Sequence, residues 1–273
     1  MPALPTLFVS HGSPMHALHP GAAGTAWAEL GRRVPRPRAL LVASAHWETQ
    51  LPMVATAERP DTIHDFGGFP PELYKIRYPA PGAPEVAQRA LALLEQSGQP
   101  ASAVGCRGLD HGAWVPLLRM YPDTDIPVTQ ISIQTSLGAR HHLDLGAALA
   151  PLADEGVLVI GSGHMTHNLG DWMRYVRRHG MEPADVGVEP YVEEFRGAVD
   201  AALRRGDRDW LADFHRRAPH AARAHPTDEH FLPLLVAFGG AGARPDVERI
   251  DVGVDAGVLA MDAYLFRRSG TGA

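Results

Sequence analysis

Four histidines in this chain of 273 residues stand where an apolar run ends or begins, so that folding would converge them rather than scatter them. His11 follows the run over residues 4–10, and His46 follows the run over residues 39–45. His167 lies in Gly161-Ser162-Gly163-His164-Met165-Thr166-His167-Asn168-Leu169, immediately after the run over 157–160. His230 lies in Pro226-Thr227-Asp228-Glu229-His230-Phe231-Leu232-Pro233, at the expected start of a helix. Neutral imidazole is the commonest protein metal ligand, and a helix N-terminus disfavours its protonation, which keeps a lone pair free for a cation. Any one of these histidines alone reads better as a hydrogen-bonded structural group. Four in comparable positions favour a metal site.

His111, in Leu109-Asp110-His111-Gly112-Ala113-Trp114, precedes an expected helix beside an acidic residue. It suits a general acid or base, because its ordinary pKa lies near neutrality. The plainer reading is a helix capped by Asp110 with an incidental histidine. His64, in Ile63-His64-Asp65-Phe66-Gly67-Gly68-Phe69-Pro70, falls in a long loop where Phe66 and Phe69 could wall a planar ligand, although a packed loop explains it as well. Of the 15 histidines, His141, His142, His179, His215, His220 and His225 lie on an expected helix surface or among polar residues and are expected to be solvated. Ser13 and Ser162 lack a nucleophile elbow. No P-loop and no HExxH is present, and Gly161-Ser162-Gly163 lacks the third glycine of a dinucleotide loop.

The elements that must position these residues alternate between strand and helix. Strands are predicted over residues 4–10, 39–45, 126–133, 157–160, 250–254 and 258–266, and helices over 24–34, 84–96, 139–152, 188–204 and 231–238. The pattern implies an α/β fold, a single domain with a central, mostly parallel or mixed sheet flanked by helices on both faces. Ligands of such sheets bind at the carboxyl ends of strands, where three of the histidine turns fall. The stretch over 61–81 is a long loop with several aromatic residues, a place for function or a lid.

Composition excludes several classes. A net charge of -6 without a block of like charges gives no footprint for nucleic acid and no polybasic patch for a membrane. Cys106 is the single cysteine, so a metal must be held by histidine and carboxylate. Met1-Pro2-Ala3-Leu4-Pro5 lacks the marks of a signal peptide, and no run of about 18 apolar residues follows, so a cytoplasmic protein is expected.

Taken in order, His11-Gly12-Ser13-Pro14, Ser44-Ala45-His46-Trp47, Thr62-Ile63-His64-Asp65-Phe66-Gly67-Gly68-Phe69-Pro70, Tyr78-Pro79-Ala80-Pro81-Gly82, Asp110-His111-Gly112, Thr166-His167-Asn168-Leu169 and Glu229-His230-Phe231-Leu232-Pro233-Leu234 resemble the class III extradiol ring-cleavage dioxygenases, in their DOPA 4,5-dioxygenase-like branch. The resemblance spans the chain and implies one catalytic domain over residues 1–273. It implies that His11, His46 and His230 hold a divalent metal, with His167 in or beside the ligand set and Glu229 as the reserve ligand. It implies Fe(II) for activity, with Zn(II) able to occupy the same nitrogen-rich site. The substrates would be a small aromatic diol and O2, with His111 or His167 taking a proton and His64, Phe66 and Phe69 meeting the ring. His164, one helical turn before His167, has no role in that pattern. A zinc hydrolase using a histidine-bound water, and a non-enzymatic binding protein on the same fold, are the competing readings.

Overall fold

The computed structural model describes residues 3–180 and 187–269. Along them run the strands β1 (Thr6–Ser10), β2 (Ala39–Glu48), β3 (Met53–Ala55), β4 (Ser102–Val104), β5 (Val128–Ile133), β6 (Val157–Gly163), β7 (Pro245–Ile250), β8 (Val254–Asp255), β9 (Leu259–Ala260) and β10 (Ala263–Arg268). The helices are α1 (Gly21–Arg33), α2 (Pro84–Gln96), α3 (His111–Met120), α4 (Gly138–Leu149), α5 (Pro151–Asp154), α6 (Leu169–His179), α7 (Pro190–Arg205), α8 (Arg208–Ala212), α9 (Phe214–Arg217), α10 (Ala221–Ala224) and α11 (Leu232–Gly240).

Eight of the strands form one mixed sheet in the order β4-β3-β5-β2-β6-β1-β10-β7. Its centre, β5-β2-β6-β1, is parallel, while β10 and β7 close one side antiparallel. The central strands are apolar on both faces because helices cover both, as a parallel arrangement requires. Alternation divides their side chains. Leu7, Val9, Leu40, Val42, Leu158 and Ile160 join the core with Trp27, Leu30, Trp114 and Leu117 of α1 and α3. Leu41, Ala43, Val157 and Val159 point the other way, to Leu145, Leu149 and Val236 of α4 and α11, and Phe8 meets Phe195 and Phe238.

The expected α/β class is therefore the observed one, and several boundaries move. Pro151 separates α5 from α4 where one helix was expected. The closing strands shift as well: the carboxylate of Asp251 accepts a hydrogen bond from Gly253 N at 3.0 Å, and Gly253 has φ 101°, which turns the chain where residues 250–254 were expected to run straight. β7 precedes that turn, and β8 and β9 form a small separate hairpin. Helix α11 runs on to Gly240 because glycine allows close packing: a Cβ on Gly239 would lie 2.2 Å from Leu143 O of α4.

Two histidines expected at the solvated surface are buried instead. His142 is inaccessible because its Nδ1–H donates to Gly138 O at 2.7 Å and its Nε2 accepts from Gln134 N at 3.1 Å. His225 is buried with Nε2 2.8 Å from Met165 O. Each has a hydrogen-bonding task for the backbone that sequence position does not reveal. His179, His215 and His220 are exposed, as expected.

A candidate metal centre at the carboxyl edge of the sheet

Strands β1, β6 and β2 are parallel neighbours, so their carboxyl ends lie side by side. His11 leaves the end of β1, His46 lies near the end of β2, and His164 directly follows β6. His111 begins α3, whose N-cap Asp110 accepts from Ala113 N at 3.3 Å, and His230 stands just before α11. Glycine lets His230 arrive. A Cβ on Gly163 would lie 2.1 Å from His230 O, so the end of β6 touches the backbone that carries His230.

The rings meet in one cleft of about 700 Å³, which His11, His46, His111, His164, His167, Glu229 and His230 line together with Phe66, Phe69, Trp172 and Leu259. The Nε2 atoms of His11 and His46 are 3.0 Å apart. The His230 ring centroid is 5.4 Å from that of His11 and 5.0 Å from that of His46. His167 stacks on His230 with centroids 3.4 Å apart. Among the described residues two tight groups of donors result, His11 with His46 and His111, and His167 with Glu229 and His230.

Hydrogen bonds at the far side of each ring decide which nitrogen offers its lone pair. Ser162 Oγ donates to Gly112 O, so it accepts from His11 Nδ1–H at 3.1 Å and leaves His11 Nε2 unprotonated. His230 Nδ1–H donates to Glu229 Oε1 at 2.9 Å. His46 Nδ1 faces Asp65 Oδ2 at 3.5 Å. His11 and His230 thus each keep an Nε2 lone pair, and the Nε2 atoms of His11 and His46 come within 3.0 Å, a pair of buried imidazole nitrogens suited to a cation. The donor set fits a divalent metal on this ground.

Burial keeps the set neutral. It is the largest cause that holds His11 and His230 well below the usual histidine range, reinforced by the neighbouring rings. Burial and then His111 take His46 down to about 4. Burial and then His164 take His167 down to about 2. Asp65 runs the other way: burial would raise its carboxyl, but the hydrogen bond and charge of His111 hold it at about 2.

Asp65 is the residue that pattern reading missed. Its Oδ1 accepts from His111 N at 2.9 Å and its Oδ2 from His111 Nδ1–H at 3.0 Å, which fixes the ring and leaves Nε2 as the basic nitrogen. Below it, the buried carboxylate of Asp110 accepts from Ser44 Oγ at 2.6 Å, Gln130 Nε2 at 2.8 Å and Arg107 Nη2 at 2.8 Å, tying α3 to β2 and β5. Phe66 and Phe69 line the cleft as expected of aromatic walls. His64 does not: its Nε2 lies 3.1 Å from Ile76 O, and its ring packs behind Phe66 against Tyr74 and Trp114. Glu229 does line the cleft, with Oε1 turned to His230 and 4.0 Å from His167.

This fold and this edge-of-sheet histidine cluster define a class. Residues 5–255 match the family described as the catalytic LigB subunit of aromatic ring-opening dioxygenase, and the chain belongs to that family of metal-dependent extradiol ring-cleaving enzymes. The 4,5-DOPA dioxygenase extradiol of Beta vulgaris is 44% identical over 265 residues, covering 96% of each chain. That of Escherichia coli (strain K12) is 38% identical, covering 94% of this chain and 93% of its own. A crystal structure of an uncharacterised protein from Escherichia coli K12 superposes with a TM-score of 0.79 at 34% identity, covering 96% of this chain and 99% of that one. No helix among the described residues is long and apolar enough to cross a membrane.

Proposed function

We propose that this dioxygenase opens the ring of a DOPA-like catechol with O2 at a mononuclear Fe(II) held by Nε2 of His11, His46 and His230. The observation that carries the ligand assignment is the pair of outer hydrogen bonds, to Ser162 and Glu229, which leave the Nε2 lone pairs of His11 and His230 free, with His46 Nε2 3.0 Å from that of His11. Glu229 is the reserve ligand, held off by its bond to His230. The relatives named as 4,5-DOPA dioxygenases support the choice of substrate. When bound, Fe(II) supplies Lewis acidity toward the diol and the electrons that let dioxygen react, whereas Zn(II) in the same nitrogen-rich site supplies only the acidity.

The chain's own residues supply the remaining steps. Phe66 and Phe69 pack on the ring and exclude water from one side of the cleft. His111 Nε2 accepts the second diol proton, and Asp65 stabilises the imidazolium that forms, because its carboxylate already holds Nδ1–H. His167, stacked on His230 and held neutral, offers a hydrogen bond to an oxygen of the bound substrate. A cytoplasmic, reducing location accords with an exposed free thiol at Cys106 and is part of the proposal. Anaerobic reconstitution with Fe(II), followed by a catechol and a measured pulse of O2, tests the reading. It predicts consumption of one O2 per ring with a yellow ring-opened product, and none with Zn(II). Hydrolysis by the zinc form without O2 uptake would refute it.

A further inference from the structure

Helix α6 departs from the usual pattern of an amphipathic helix. Leu169, Trp172, Met173 and Val176 recur at the spacing of one helical face, the stripe by which a helix normally packs on a core. Among the described residues of α6 only Asp171 is buried, while Leu169 is 50% and Met173 54% exposed. The stripe has an anchor beside it instead of a core beneath it. Asn168 Oδ1 accepts from Asp171 N at 2.9 Å, Asn168 Nδ2 donates to Arg223 O at 2.7 Å, and Asp171 Oδ2 accepts from Arg223 Nε at 3.0 Å. These bonds fix the first turn of α6, and with it Leu169 and Trp172, in the wall of the cleft.

The cleft therefore has two apolar walls from different elements. Phe66 and Phe69 lie on the loop, with ring centroids 5.3 Å apart, and Phe66 stands 5.7 Å from the His111 ring. Leu169 and Trp172 lie on the helix that follows His167. Leu259 joins them because Thr166 Oγ1 donates to Val258 O and accepts from Ala260 N, both at 2.8 Å. The carboxylates at the cleft already have partners: Asp65 with His111, Glu229 with His230, Asp255 with His16 and Glu48 with Thr135. Apolar contact is what the second wall has to offer. At about 700 Å³ the cleft is of the size that holds a two-ring ligand, and one diol ring at the histidines leaves the α6 wall unfilled.

We propose that Leu169, Trp172 and Leu259 form an apolar subsite for a ring substituent, and that the enzyme also opens catechols bearing an aryl group. The proposal rests on the dioxygenase reading and extends it from DOPA-like catechols to biaryl ones. The reaction is the same. The C–C bond beside the diol breaks, one atom of O2 becomes the aldehyde oxygen of the product, the other enters its carboxyl group, and the aryl group is untouched. The diol ring supplies all the electrons, so no further reductant is needed. The aryl group gains by leaving water for the ring face of Trp172 and the side chains of Leu169 and Leu259.

Anaerobic calorimetric titration of the Fe(II)-loaded enzyme with phenylcatechol and methylcatechol, both substituted para to a hydroxyl, tests this, with O2 uptake on the same compounds measured in parallel. Phenylcatechol is expected to bind about tenfold more tightly, the scale of partly burying one more ring. Trp172→Ala and Leu169→Ala are each expected to cut that ratio roughly threefold, and Trp172→Phe, which keeps an aromatic face, to preserve it. Equal affinity in the unaltered enzyme, or a ratio that survives both alanine variants, overturns the proposal. So does tight binding of phenylcatechol without O2 uptake when methylcatechol is consumed. If phenylcatechol binds more tightly and neither compound consumes O2, the subsite stands and the dioxygenase reading fails.

Discussion

At the scale of single residues, the outer hydrogen bonds separate ligands from a base. His11 and His230 are each anchored at Nδ1, by Ser162 and Glu229. Asp65 serves His46 and His111 at once, and its shorter contact is with His111. His11→Ala or His46→Ala is therefore expected to lose metal and turnover together, read by metal analysis of the purified protein. His111→Ala is expected to retain metal and lower kcat by about 10²–10⁴-fold, the usual contribution of a positioned proton acceptor. Asp65→Asn leaves His111 its backbone anchor but removes the carboxylate charge that faces its ring. It is expected to cost roughly 10–100-fold in activity, as outer partners of site histidines do. A His111→Ala variant that arrives without metal would move that residue into the ligand set.

At the scale of elements, the site depends on how closely α11 and the loop before it approach the end of β6. Gly163→Ala would force Cβ into His230 O, now 2.1 Å from that position, and push His230 away from His11. The expected outcome is a loss of 1–3 kcal/mol in stability, as in other overpacked sites, with weaker metal retention during dialysis against a chelator. Unchanged metal retention would show that the contact yields without moving the ring. The elements that carry site histidines were legible in the sequence because they are apolar runs interrupted by turn residues. Those that escaped are short or mixed. β3 and β4 have three residues each, and β7 alternates Asp246, Val247 and Glu248 at the edge of the sheet. Asp65 escaped for a different reason: it sits in an irregular loop, and only folding brings it against the start of α3.

At the scale of the whole molecule, buried neutral histidines set the response to acid. Burial holds His142 at about 4 and His225 at about 3, against 6.5 when the chain is unfolded. Between those limits the unfolded chain binds more protons than the folded one, so stability is flat above pH 6.5 and falls as pH drops below it. At pH 5 each contributes a loss of roughly 2 kcal/mol relative to pH 7. His142→Gln, which cannot charge, is expected to narrow its stability gap from the parent on going from pH 7 to pH 5 by about that amount. Parallel denaturation curves for the two proteins would contradict it. Sheet order has the largest reach. The order β2-β6-β1 gathers residues 11, 46 and 164 at one edge, and α11 brings residue 230 over them, none of which any local spacing could announce. The direct test of this arrangement is an anomalous-scattering map from crystals of the protein reconstituted anaerobically with Fe(II). The account predicts one ion bonded to Nε2 of His11, His46 and His230. An ion held by His167, Glu229 and His230, with His11 and His46 unligated, would contradict it.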